Sequence, residues 1–311
     1  MAVEHFILAI IGATATGKSD LAFTIAKHIG AELLSVDSMQ VYRGMDIGTA
    51  KPTLAERSQV RHHLVDVCLP SESFTVARFV ELADRAIADT RGRGVPMIAT
   101  GGTPLYFKSL FQGLFAGPGA DPELRQRLGQ LSPEELSARV AAVDPAAAAR
   151  FHRNDSRRLI RALEVFELTG KPISDWQTQW EESPARHPVI WFGLNWPREE
   201  LTRRINARVK AMLSAGWIEE TRQLLAEFGA LSSTASEAAG YAELLDYLAG
   251  KMDLETATEH IKIATRQLSR RQTKWFRRFP DVTWLDGTSG TDRLAEELLS
   301  HLQKQRAEHT A

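Results

Sequence analysis

The string Gly12-Ala13-Thr14-Ala15-Thr16-Gly17-Lys18-Ser19 spaces two glycines, a lysine and a hydroxyl as a phosphate cradle requires. Glycines allow a tight backbone whose N–H groups converge on phosphate oxygens, and a helix opening there adds a favourable dipole. Lys18 supplies a cation, and the Ser19 hydroxyl can coordinate Mg²⁺. The string follows an apolar run and opens a helical pattern, and that context separates a phosphate loop from a chance turn. It leaves open which phosphorylated molecule is held.

Asp37 is the second candidate. It ends an apolar run, at the carboxyl edge where open α/β sheets bind ligands. It could hold a metal, or act as a general base facing the phosphate loop. The segment from Ser38, Met39 and Gln40 to Pro52 is rich in hydrogen-bonding side chains and has no regular period, as a binding loop does. Basic residues form two further groups. Residues 260–280 hold Lys262, Arg266, Arg270, Arg271, Lys274, Arg277 and Arg278 with no acid, while Arg150, Arg153, Arg157, Arg158 and Arg161 share only Asp155. On a chain of net charge −1, such local faces fit a polyanionic partner; solvated helix faces are the plainer alternative. Lys262, Arg266, Arg270, Lys274 and Arg277 recur at three- or four-residue spacing and should share a face. Ile261, Ala264, Leu268, Trp275 and Phe279 mark a separate core-facing stripe. Trp176, Trp180 and Trp191 could stack on bases, though packing is the simpler expectation.

The elements that must position these groups alternate as βα units do. Residues 5–12, 31–37 and 96–100 are predicted strands. Helices are predicted at 18–30, 74–93 and from Leu105 to Gln112, with Pro104 in the first turn. Breakers Gly117, Pro118, Gly119 and Pro122 mark a boundary, after which only helical pattern runs to about Pro188. Residues 188–196 return to strand, 199–228 and 238–279 are largely helical, and 282–286 form a last strand. The expected fold is therefore α/β: a parallel sheet flanked by helices, of the kind found in P-loop NTPases, over 1–116 and 189–311. An all-helical insertion occupies 117–188.

Composition excludes several classes. With 311 residues, 43% of them hydrophobic and 25% charged, the chain can bury a core without staples. Cys68 is its single cysteine, so no internal disulfide is available. No window reaches the length of a membrane span, and residues 1–12 lack a basic segment before their apolar run. A cytoplasmic enzyme with no membrane partner is expected. No coiled-coil heptads demand a second copy, so a monomer is expected. His62 and His63, without zinc-like spacing, are taken as structural or surface residues.

Taken together, the blocks resemble the tRNA dimethylallyltransferases (tRNA isopentenyltransferases). The resemblance rests on the phosphate loop, residues 37–52, and Thr100-Gly101-Gly102-Thr103-Pro104-Leu105-Tyr106. It continues through Asn154-Asp155, Arg158, Arg161-Ala162-Leu163-Glu164-Val165, Arg208, Met212-Leu213, Gly216 and Gly240-Tyr241. It closes with Ala264-Thr265-Arg266-Gln267 through Arg271-Gln272 to Trp275-Phe276. It departs at Ala242-Glu243, where the family commonly carries a basic or amide pair.

The resemblance implies transfer of a dimethylallyl group from dimethylallyl diphosphate to N6 of the adenosine just 3′ of the anticodon in tRNA. It implies Asp37 as the base for the amine proton, Thr103 beside the reacting centre, and Arg208 gripping diphosphate oxygens together with residues 12–19. It places Ser38, Met39, Gln40, Arg158, Arg161, Ala162, Leu163, Glu164, Val165, Gly240, Tyr241, Arg266 and Arg270 with Asp37 and Thr103 near the tRNA. The helical insertion would grip the anticodon stem. Leu163 and Val165 could equally be helix packing, Thr103 a helix N-cap, and Arg208 a residue on an exposed helix face. Mg²⁺ is the implied cofactor, with Ser19 as its ligand.

Two other classes compete. A small-molecule kinase would use ATP at the same loop but would not need two basic faces. A non-catalytic RNA-binding module with a relict loop would not depend on Asp37.

Overall fold

The computed structural model describes residues 6–114, 117–176 and 185–310. Trp180 lies outside them. Six strands make one wholly parallel sheet: β1 (Ile7–Ile11), β2 (Glu32–Ser35), β3 (His62–His63), β4 (Met97–Gly101), β5 (Val189–Asn195) and β6 (Val282–Asp286), in the order β3-β2-β4-β1-β5-β6. The run Ile-Leu-Ala-Ile-Ile of β1 is buried at every position, as a central parallel strand covered on both faces must be.

Alternate side chains of β1 feed two cores. Leu8 and Ile10 pack with Leu21 and Ile25 of the helix Lys18–Ile29 and with Leu294, Leu298 and Leu302 of the final helix, Thr291–Thr310. A web of rings forms around Trp191, which stands beside Ala9 in the register. Its centroid lies 5.7 Å from Phe107, 5.0 Å from Phe111 and 5.2 Å from Phe279. Trp191 is thus a core residue, and it is not available to stack on a base.

The edge strand β3 is only two residues long, too short for sequence periodicity to show. Its place is fixed by side chains: His63 Nε2 lies 2.6 Å from Glu32 Oε2, and Arg93 grips the same carboxylate at 2.7 and 2.8 Å. Both histidines are structural, as expected; His62 Nδ1 meets the Val60 carbonyl at 2.7 Å.

The chain divides into two compact units, Met1–Phe111 with His187–Ala311, and Gln112–Arg186. The second begins somewhat before, and ends just before, the 117–188 read from the breakers. The first unit's chain breaks off at Phe111 and resumes at His187, and those two rings meet edge-on at 6.4 Å. In the helical unit, Asp121, Ser132, Asp144 and Asp155 each cap a helix through a side-chain oxygen, and Pro122, Pro133 and Pro145 open three of them. Its core joins Leu124, Leu128, Leu136, Val140, Leu159 and Ile173, with Trp176 packed against it. Among the described residues no helix is long and apolar enough to cross a membrane.

Candidate active site

Three loops leave the carboxyl ends of neighbouring strands β1, β2 and β4, and they carry the candidate residues to one edge of the sheet. The approach is close. A Cβ on Gly101 would lie 2.0 Å from the Val36 carbonyl oxygen, so only glycine fits where β4 ends against β2. Just beyond, Thr103 Oγ1 accepts from the Ser38 N–H at 3.0 Å. The Thr103 carbonyl, rather than its hydroxyl, receives the N–H groups of Tyr106 and Phe107 at the start of the helix Pro104–Gln112.

Asp37 opens the loop after β2 with an Asx turn: its Oδ1 accepts from the N–H of Met39 at 2.8 Å and of Gln40 at 3.4 Å. Gln40 is engaged within the same loop. Its Oε1 accepts from Ser35 Oγ at 2.8 Å, and its amide reaches the carbonyls of Thr49 and Ala50 at 3.3 and 3.2 Å.

Lys18 begins the phosphate-loop helix, and its Nζ donates to the Ala13 carbonyl at 3.2 Å. Burial, then the nearby Arg208 cation, pull its pKa down to about 8, against the favourable fields of Asp37 and Asp20. Burial lowers the pKa of Arg208 as well, again with Asp37 and Asp20 opposing. Lys18, Arg208 and Asp37 therefore share one electrostatic environment. Two partly dehydrated cations side by side, each lowered in pKa by burial, suit an incoming polyanion.

Several residues to which the sequence assigned no role complete the site. Gln272, nine-tenths buried on the helix Leu254–Phe276, joins two of the loops: its Oε1 accepts from the Thr14 N–H at 2.8 Å and its Nε2 donates to the Gly102 carbonyl at 2.6 Å. Glu220 pins the loop after β2, accepting from the N–H groups of Asp46, Ile47 and Gly48 at 2.9, 2.6 and 3.3 Å and from Tyr241 Oη at 2.5 Å. Lys51, also buried, holds that loop from the other side through the Tyr42 carbonyl at 2.7 Å, Asp46 at 2.5 Å and Asp66 at 2.6 Å. Gln272 and Glu220 act on backbone 170 or more residues away, which leaves no local signal.

The structure places several of the expected RNA contacts inside the protein. Ala162, Leu163 and Val165 lie in the core of the helical unit. Glu164 is fully buried, held by Arg125 at 2.8 and 2.9 Å, by Arg161 at 2.5 Å and by the Asp121 N–H at 2.8 Å. Their side chains are occupied with folding. Arg161 also binds the Pro118 carbonyl at 2.7 Å, whereas Arg158 is exposed beside Asp155. Tyr241 is buried, and a Cβ on Gly240 would overlap the Trp217 ring at 1.9 Å. These two residues shape the loop after β2 from within.

On the helix Leu254–Phe276, Lys262 is buried and paired with Glu259 at 2.5 Å, so it leaves the basic face. Arg270, Lys274 and Arg277 remain exposed, and Arg266 binds Asn206 Oδ1 at 2.9 Å. The buried stripe is Ala257, Ile261, Ser269, Gln272 and Phe276 rather than the expected apolar set, of which only Ile261 is fully buried. Gln272 is polar on this inward face because it bonds the phosphate loop.

A family profile described as IPP transferase matches residues 40–279. A tRNA dimethylallyltransferase of Citrifermentans bemidjiense is 45% identical over 280 residues, 90% of this chain and 92% of that one. A crystal structure of a tRNA isopentenylpyrophosphate transferase from Bacillus halodurans, 37% identical, superposes with a TM-score of 0.73 over 98% of this chain and 99% of that one. A eukaryotic dimethylallyltransferase, captured acting on tRNA, gives 0.78 at 30% identity over 91% of this chain and 74% of its own.

Proposed function

The chain belongs to the IPP transferase family, and on that premise we propose that it transfers the dimethylallyl group of dimethylallyl diphosphate to N6 of the adenosine just 3′ of the anticodon in tRNA. The observation that carries the reading is the joining of three loops at one sheet edge, Thr103 bonded to Ser38 beside Asp37 and Gln272 bonded to both Thr14 and Gly102; burial and mutual repulsion of Lys18 and Arg208 agree with it. A diphosphate leaving group gathers charge as the allylic C–O bond breaks, and preorganised cations and loop N–H groups lower that barrier. Residues 12–19 and Arg208 hold the diphosphate.

The exocyclic amine is a weak nucleophile because its lone pair is delocalised into the purine. As its nitrogen bonds the allylic carbon, its proton passes to Asp37, a step typically worth about 10²–10⁴-fold. Asp37 Oδ1 is taken by the Asx turn, so Oδ2 is the oxygen assigned to that proton. Thr103, bonded to Ser38, lines the same place.

Mg²⁺ suits the donor set, since Ser19 offers a hydroxyl at the helix start and diphosphate offers hard oxygens. Among the described residues no three His, Cys, Asp or Glu gather as a metal site, so its remaining ligands would come from substrate and water. Bound there, it would neutralise charge on the departing diphosphate.

Exposed arginines of the segment 150–161 and of the segment 266–278 are assigned to the phosphates of an anticodon stem-loop, whose bases splay out at modest cost. Because one chain supplies every loop of the site, we assign the activity to a monomer, acting on tRNA in the cytoplasm. The kinase reading loses its footing with the family match.

Mass spectrometry of nucleosides from tRNA incubated with the protein, Mg²⁺ and dimethylallyl diphosphate tests the proposal. Isopentenylated adenosine beside the anticodon is expected. Unmodified tRNA, with ATP consumed in phosphorylating a metabolite, would overturn it.

A further inference from the structure

The phosphate loop holds a conformation it would not adopt unaided. Ala15 has φ 65°, a left-handed geometry that costs a residue with a Cβ and persists only where surroundings enforce it. The enforcement comes from the segment after β5. Arg204 Nε donates to the Ala15 carbonyl at 2.8 Å, and Trp196 Nε1 donates to the Thr16 carbonyl at 2.9 Å. The Arg204 guanidinium lies 4.2 Å from the centre of the Trp196 ring, so each side chain orients the other. The indole in turn rests where a Cβ on Gly287 would come within 1.9 Å of its nitrogen.

In a trans peptide the carbonyl and the following N–H point in opposite directions. Bonding Ala15 O and Thr16 O on the outside therefore aims the N–H groups of Thr16 and Gly17 into the cradle, where phosphate oxygens are bound.

We infer that Trp196 and Arg204 are positioning residues, a stacked brace that holds the phosphate loop in its anion-receiving shape through the carbonyls of Thr16 and Ala15. The inference rests on the reading of residues 12–19 as a diphosphate site. It assigns neither side chain a contact with substrate.

Calorimetric titration of the full-length protein with inorganic diphosphate and Mg²⁺ tests it without any transfer chemistry. Trp196→Phe keeps the ring for stacking and loses the N–H. Arg204→Gln loses both the stacked charge and the correctly placed donor. Each should weaken diphosphate binding about tenfold, the scale of one hydrogen bond to the loop. Ala15→Gly removes the cost of the positive φ, so in the Arg204→Gln background it should recover at least about threefold.

Both single variants binding within about twofold of the parent would overturn the brace. So would rescue of Arg204→Gln by Arg204→Lys chemistry alone, full affinity with a lysine and no recovery with Ala15→Gly, because Arg204 would then act on the ligand as a charge. A parent protein that binds no diphosphate overturns the brace and the functional reading together. A parent that binds diphosphate but modifies no tRNA overturns only the functional reading. Thermal midpoints taken alongside separate lost binding from lost folding, and Trp196→Phe, nearly isosteric, is the variant least exposed to that confusion.

Discussion

Thr103 Oγ1 accepts the backbone N–H of Ser38 at 3.0 Å, and this one bond ties the loop after β4 to the loop after β2 directly beside Asp37. Asp37, the proposed base, is thus held by neighbours on two loops as well as by its own turn. That rigidity is what proton transfer in a crowded transition state requires.

Asp37→Asn should separate chemistry from architecture. Asparagine keeps an Oδ1 that can accept from Met39, so the turn survives while the base is lost. kcat should fall about 10²–10⁴-fold, with the tRNA dissociation constant nearly unchanged in a filter-binding assay. A variant retaining most of its kcat would remove Asp37 from proton transfer.

The Lys18 ammonium should set an alkaline limit on the proposed reaction. Its pKa, lowered to about 8 by burial and by Arg208, means the free site loses a cation as pH rises through that value. kcat/KM for the donor should decline above it. Bound diphosphate favours the charged amine and draws the pKa back up, so donor binding on the alkaline side should take up a proton. Calorimetry in two buffers of different ionisation heat reads that uptake directly; a limb near the ordinary lysine value of about 10.4 would contradict the assignment.

Tyr241→Phe removes a single bond to Glu220, itself the clamp on residues 46–48. KM for tRNA should rise several-fold while kcat holds, since the loop loosens without losing a reacting group. Glu220→Ala, which strands three backbone N–H groups, should also cost about 1–3 kcal/mol in chemical denaturation.

In the helical unit, Arg125→Met should be worse than Glu164→Gln. Glu164 is fully buried whereas the side chains of Arg125 and Arg161 are 46% and 25% exposed, so removing the acid lets its partners return to water, while removing Arg125 takes two of the bonds from a buried charge and leaves it to Arg161 and the Asp121 N–H. Burial works to raise the Glu164 pKa, but Arg125, Arg161 and the Asp121 N–H outweigh it and hold the carboxyl below its usual value. The stability it contributes is therefore present above the ordinary carboxylate pKa and lost as pH falls through the lower, folded value. Circular dichroism at descending pH checks both the ranking and the window.

Chemistry that depends on neighbouring residues was readable in the sequence. The phosphate loop, the apolar strands and the capped helix starts of the insertion each declare themselves within a dozen positions. What was not readable depends on partners far along the chain. Gln272 lies within a basic helix by sequence, yet its amide joins Thr14 to Gly102. Ser269 and Gln272 hid the true inward stripe because they are polar where a core face is expected to be apolar, and Lys262 looked solvated because its Glu259 partner lies one turn back. The long helical stretch 199–228 is broken by Gly216 at φ 103°, a break that periodicity passed over. Residues 162–165 resembled a recognition segment, yet they make up the interior of their own small bundle.

The edge-on meeting of Phe111 and His187 has a consequence for evolution and for engineering. A chain that departs and rejoins at touching residues closes its detour at little entropic cost. The strand order owes nothing to the detour, so Gln112–Arg186 could be exchanged for a longer or shorter module, or excised and sutured with a brief glycine linker, while the loops at the sheet edge kept their form.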